Sequence, residues 1–215
     1  MTIDIKNVIK NFGEVNVLDN ITLSIKEGDK IAMLGPNGAG KTTLIRAILG
    51  YYKLNQGSIE VDGKDPVKQR VDILKKISFI PQLPPPIKIS VEDLIGYICT
   101  TSEVSKEKIV QEAVDMELDI VKNMKKPFFK LSGGMKQKLL IAIALARKSE
   151  LYIFDEPTAN LDPKGRENFA KLLTKLDKKS SVIYVTHRLE DLKGLTNRLV
   201  YLDIGKVTED KKIES

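Results

Sequence analysis

Hydrophobic residues in this chain change their spacing several times, and each change marks an element. From Thr2 to Lys26 the period is two: Ile3 and Ile5 alternate with polar neighbours, and Ile21, Leu23 and Ile25 alternate with Thr22, Ser24 and Lys26. That alternation predicts half-buried antiparallel strands. Between them Lys10-Asn11-Phe12-Gly13-Glu14 reads as a turn, whose aromatic Phe12 serves either as a hydrophobic plug or as a stacking surface for adenine. Short continuous apolar runs predict buried strands at Ile31–Leu34, Ile77–Ile80, Leu151–Phe154, Ser181–Thr186 and Leu199–Leu202. Gly57–Gly63 reads as a short strand closed by an Asp-Gly turn. Helical spacing replaces these patterns in Thr42–Leu49, which ends at Gly50, and in Lys164–Leu176.

The middle of the chain is different. Pro84-Pro85-Pro86 predicts a stiff polyproline segment, and helical signals follow it. Ser90 with Asp93 three residues later resembles an N-cap, Val91, Leu94, Ile95 and Ile98 share a face, and a second helix starts near Ser105. Leu131-Ser132-Gly133-Gly134 opens a third, with Ile141 and Leu145 buried. The expected organisation is one α/β domain over residues 1–215: a core from 1–82 and 148–215 that includes an antiparallel β part, interrupted by a helical subdomain at 83–147. The charged tail Glu209–Ser215 is expected to fray.

Composition changes this picture little. With 215 residues, 42% hydrophobic and 30% charged, the chain is an ordinary globular one. Its longest apolar run, Leu139–Ala146, falls short of the ~20 residues that span a bilayer. Met1–Lys6 lacks the basic and apolar regions of a signal peptide, which predicts a cytoplasmic location. Cys99 is the single cysteine, so no internal disulfide forms, and no Cys/His cluster has metal-site spacing. The net charge of +6 is spread among mixed signs and singles out no nucleic acid. Lys122–Lys130, with Phe128 and Phe129, reads as a solvated connector carrying two core aromatics rather than a nucleic-acid surface.

The candidate chemistry lies at the ends of the apolar strands. Gly35-Pro36-Asn37-Gly38-Ala39-Gly40-Lys41-Thr42-Thr43 fits the phosphate-binding pattern G-x-x-x-x-G-K-[ST], between a predicted strand and a predicted helix. Glycines let backbone N–H groups turn toward phosphate oxygens, Lys41 reaches the β- and γ-phosphates, and Thr42 offers a hydroxyl to Mg²⁺. Ser132, Gly133 and Gly134 form a second anion device by the same physics. Asp155 and Glu156 end a buried strand, where ligands of parallel sheets bind; Asp155 is expected to hold Mg²⁺ through water and Glu156 to polarise the attacking water. His187, the only histidine, ends another core strand, a surface position or a functional one.

Taken together and in order, these residues resemble the nucleotide-binding subunit of ATP-binding-cassette (ABC) transporters over essentially the whole chain. Gly35–Thr43 is similar to the Walker A loop of a P-loop NTPase core with a RecA-like mixed sheet, Gln82 to the Q-loop glutamine, and Leu131–Met135 to the signature motif. Leu151–Glu156 resembles Walker B, Ala159–Asp162 the D-loop, His187 the switch histidine, and Phe12 the adenine-stacking aromatic. The resemblance implies ATP and Mg²⁺ as ligands, with Gln82 sensing γ-phosphate and metal and His187 contacting the γ-phosphate beside Glu156. It implies a head-to-tail homodimer or heterodimer of cassettes, a separate membrane permease as partner, a peripheral position on the inner face of the membrane, and no specific nucleic acid. Met135 stands where many importers carry Gln, a variant similar to exporter-type and ABC-2-like ATPases; Lys138 replaces a more usual Arg, and Asn160 a Ser or Gly. A soluble ABC ATPase acting on ribosomes or DNA is the alternative.

Overall fold

The computed structural model describes residues 1–187 and 192–213. In chain order the elements are β1 (Ile3–Phe12), β2 (Val15–Ile25), β3 (Lys30–Leu34), α1 (Lys41–Ile48), β4 (Gln56–Val61), α2 (Arg70–Lys75), β5 (Ile77–Ile80), α3 (Val91–Ser102), α4 (Lys106–Asp115), α5 (Gly133–Ala146), β6 (Leu151–Asp155), α6 (Pro163–Leu173), β7 (Ser181–Val185), β8 (Arg198–Asp203) and β9 (Lys206–Lys212). They divide into two compact units: Met1–Ile77, Glu150–Asp155 and Asp177–Ser215 in the first, Ser78–Ser149 and Glu156–Leu176 in the second.

The first unit is built on two sheets. The antiparallel one has the order β2-β1-β4, with Ile3 opposite Ile25 and Val61. Ile21, Leu23 and Ile25 are buried while Thr22 and Ser24 are exposed, so the period-two pattern is the inward and outward alternation of the pleat. The second sheet runs β6-β7-β3-β8-β9, parallel except for β9. Every residue of β6 and β7 is buried, which is why those strands read as continuous apolar runs. Tyr152, Phe154 and Tyr184 stack across them, Phe154 lying 5.5 Å from Tyr184 at an interplanar angle of 13°. Burial pushes the Tyr184 phenol far above its ordinary pKa, so it stays neutral.

Two elements correct the sequence expectations. The tail is not frayed over Glu209–Lys212: β9 pairs antiparallel with β8, placing Asp210 opposite Val200. An exposed edge strand has no apolar pattern to reveal it. Arg198 anchors it instead, donating to both carboxylate oxygens of Asp210 at 2.7 Å and to Asp29 at 2.7 Å. The short helix α2 was also missed, because one buried residue, Ile73, leaves too little periodicity to read.

The second unit is helical. Ser90, Ser105, Ser132 and Asp162 cap α3, α4, α5 and α6, each accepting the N–H three residues on. Its core gathers Val91, Ile95, Ile109, Ala113, Phe128, Leu139 and Ala142. Phe128 is fully buried, whereas Phe129 is 43% exposed, so only one of the two connector aromatics belongs to the core.

Candidate functional site

In the first unit, register brings the chemistry to one edge. Val185 of β7 lies beside Met33 of β3 on one side and Asp155 of β6 on the other. The three strands therefore finish together, and the segments leaving them carry Gly35–Lys41, Glu156 and His187. Ends of parallel strands are where ligands of such sheets bind.

The loop after β3 is shaped by glycines. Gly35, Gly38 and Gly40 have φ of 140°, 84° and 98°. A Cβ on Gly35 would overlap the Leu202 carbonyl oxygen, and one on Gly40 would lie 2.7 Å from the Val17 carbonyl oxygen. Only glycine suits both the dihedrals and the space. Lys41 folds back over the loop, its Nζ donating to the Gly35 and Pro36 carbonyl oxygens at 2.6 and 2.9 Å. Helix α1 starts at this point with Gly40 as N-cap, no side-chain cap and no acid in its first turn. A glycine cradle, an ammonium and an uncapped helix start form a site whose charge fits a polyphosphate.

Thr42 sits in the first turn of α1 and its hydroxyl donates to Asp155 Oδ2 at 3.2 Å; Asp155 is 4% exposed. A hydroxyl and a carboxylate side by side are hard oxygen donors, a set that suits Mg²⁺, which takes few protein ligands and fills its shell with phosphate oxygens and water. The next residue, Glu156, is half-buried with φ 51°. The left-handed region costs a non-glycine residue about 1–2 kcal/mol, and such strain concentrates at functional positions. His187 is exposed, and the neighbouring Thr186 N–H bonds the Met33 carbonyl at 3.4 Å. Phe12 ends β1 rather than lying in a turn; it is 43% exposed and meets Tyr52 edge to face at 5.1 Å.

Gln82, Ser132, Gly133, Gly134 and Glu156 belong to the second unit, the remaining site residues to the first. Gln82 is exposed two residues beyond β5. Ser132 is exposed, and its Oγ accepts the Met135 N–H at 3.2 Å while the hydroxyl keeps its own proton to donate. A Cβ on Gly134 would come within 3.1 Å of the Asn160 carbonyl oxygen, so residue 160 packs across the start of α5. Sequence reasoning missed what fixes that arrangement. Lys138 lies 3.7 Å from Asp162, its side chain only 12% exposed, and Asp162 also caps α6 through the Gly165 N–H at 2.8 Å. Lysine is ordinarily a surface residue, so the charge of Lys138 hid its burial.

The sequence matches the profile described as ABC transporter over residues 18–159. The chain belongs to the ABC transporter family. As a member it is an ATP-binding subunit that hydrolyses ATP to power transport, and its mixed α/β core, antiparallel β part and helical part are the ABC-cassette fold. It is 38% identical to the energy-coupling factor transporter ATP-binding protein EcfA1 of Ligilactobacillus salivarius (strain UCC118), over 99% of this chain and 78% of that protein. It is 33% identical to the tungstate uptake system ATP-binding protein TupC of Peptoclostridium acidaminophilum, over 97% of this chain and 98% of that one. Among solved structures, the dimeric ATP-binding cassette MJ0796 in a post-hydrolysis state with ADP and Pi superposes with a TM-score of 0.84 at 28% identity, covering 99% of each chain.

Proposed function

We propose that this ABC ATPase holds ATP at Gly35–Thr43 and works as one of two cassettes, a homodimer or heterodimer, on the inner face of the membrane beside a separate permease. Among the described residues no helix is long and apolar enough to cross a membrane, and the transporter-subunit relatives support a separate permease. Residues 1–215 act as one cassette, with 83–147 as its helical arm. The observation that carries the reading is the shared edge of β3, β6 and β7, with the 3.2 Å contact between Thr42 and Asp155 across it.

In this reading Lys41 and the loop N–H groups of Pro36–Thr43 hold the β- and γ-phosphates, and Phe12 takes the base. Thr42, Asp155 and Gln82 hold Mg²⁺, which when bound neutralises developing charge on the phosphates. Phosphoryl transfer needs positioning and charge stabilisation more than covalent chemistry. Glu156 orients the attacking water and accepts its proton, and His187 keeps the γ-phosphate and Glu156 in register. Ser132, Gly133 and Gly134 of the second cassette close over the γ-phosphate. Hydrolysis splits that shared ligand and the pair reopens. Met135 supports an exporter-type or ABC-2-like assignment, whereas the uptake named for the tungstate relative supports import.

Glu156→Gln tests the assignment. It is expected to keep ATP binding, lower kcat about 100-fold or more, and accumulate an ATP-bound dimer on size-exclusion chromatography. A monomeric, fully active variant would remove Glu156 from the mechanism. Co-purification with a multi-span membrane protein supports the separate permease; recovery without one counts against it.

A further inference from the structure

The link between α1 and β4 carries two tyrosines, Tyr51 and Tyr52, that the phosphate chemistry does not use. Tyr52 is half-buried, and its ring centroid lies 5.1 Å from that of Phe12 at an interplanar angle of 82°. Its hydroxyl accepts from Arg46 Nη1 at 3.3 Å, and Arg46 is a residue of α1, the helix that begins at Lys41. The Lys10 ammonium lies 5.0 Å from the Phe12 centroid and 5.8 Å from that of Tyr52, held there by the Lys53 carbonyl oxygen at 2.9 Å. Two further bonds tie the same link to the end of β1: Asn11 N–H to Asn55 Oδ1 at 2.8 Å, and Asn55 N–H to the Ile9 carbonyl at 3.0 Å.

We infer that Tyr52 is a positioning residue for nucleotide binding: it braces Phe12 edge-on and joins that ring, through Arg46, to the helix that holds the phosphates. This rests on Phe12 receiving the base. Phe12 ends a strand and is 43% exposed, so without a brace its ring is free to change rotamer. A ring fixed beforehand loses less freedom when a base stacks on it. Edge-to-face contact with Tyr52 and the Lys10 cation together hold its orientation. The exposed part of Phe12 is the surface left for a planar base. Because the brace ends on α1, base and phosphates are held at a fixed separation, and the brace acts on binding rather than on the hydrolytic step.

Tripolyphosphate separates the two ends of the site, since it offers phosphates without a base. With the full-length protein, Tyr52→Ala is expected to raise KM for ATP about fivefold with kcat little changed. The inhibition constant of tripolyphosphate should stay the same. Tyr52→Phe, which keeps the ring and loses only the bond to Arg46, should restore most of the ATP affinity. An unchanged KM in Tyr52→Ala overturns the brace, and so does an equal loss of tripolyphosphate affinity, which would mean general damage to the loop. Phe12→Ala is the control for the underlying reading. If it too leaves KM unchanged, platform and brace fail together; if it raises KM while Tyr52→Ala does not, the brace alone fails.

Discussion

Two helices in this molecule begin with small residues suited to an anion, and they are finished differently. Helix α1 has Gly40 at its N-cap, in the left-handed region, and no side chain caps it. Helix α5 has Ser132 in extended conformation, with Oγ already accepting the Met135 N–H. The loop ahead of the first helix is locked by the protein around it, since its glycines stand against the Leu202 and Val17 carbonyls and Lys41 lies over the turn. The second is a stable helix end in its own right. In the proposed mechanism a self-capped start with an exposed serine and two glycines suits a surface that meets its phosphate only when another cassette brings it. The two helix starts are thus told apart by what satisfies the first turn: no side chain in α1, the Ser132 hydroxyl in α5.

Three substitutions test that contrast, in decreasing order of effect. Lys41→Ala should remove the ammonium from the glycine cradle and lower kcat/KM for ATP about 100-fold to 1000-fold, with the fold retained by circular dichroism. A smaller loss would shift the weight of phosphate binding toward α5. Gly40→Ala forces a Cβ to within 2.7 Å of the Val17 carbonyl oxygen at φ 98°. It should cost about 3 kcal/mol, seen as a fall of about 6–12 °C in the thermal midpoint. An unchanged midpoint would mean the loop is not locked by its glycines. Ser132→Ala removes only a cap: it should cost about 1 kcal/mol of stability and lower ATP-driven dimerisation measured by light scattering, while monomeric ATP binding stays as in the parent protein. Weakened monomeric binding would contradict the division of labour between the two helices.

Much of the fold was legible because burial imposes period. Ile21, Leu23 and Ile25 alternate because β2 has one buried face; β6 and β7 are uniformly apolar because both of their faces are covered. The cap at Ser90 and the helix starts at Ser105 and Ser132 were readable because a short polar side chain ahead of an apolar face has a local job. What escaped had no local signature. Strand β9 is exposed and charged, and its existence depends on a ladder to β8 and on Arg198 reaching Asp210 and Asp29. Lys138 stood out only as a replacement for a more usual Arg and Tyr52 carried no signal, because their contacts with Asp162 and Phe12 join positions far apart in sequence.

By itself the sequence determined where the glycine loop Gly35–Thr43, the strand-end acids Asp155 and Glu156, the lone histidine and the Leu131–Met135 motif stand, since each rests on residue types at fixed short spacing where backbone geometry is local. Tertiary structure decided which of them share an edge. Parallel pairing brings Met33, Val185 and Asp155 into one row, puts the Thr42 hydroxyl against Asp155, and leaves Glu156 in a left-handed conformation that its own sequence does not favour. Those relations depend on β3 and α1 meeting strands more than a hundred residues away in register, and long-range register is set by packing rather than by any one segment.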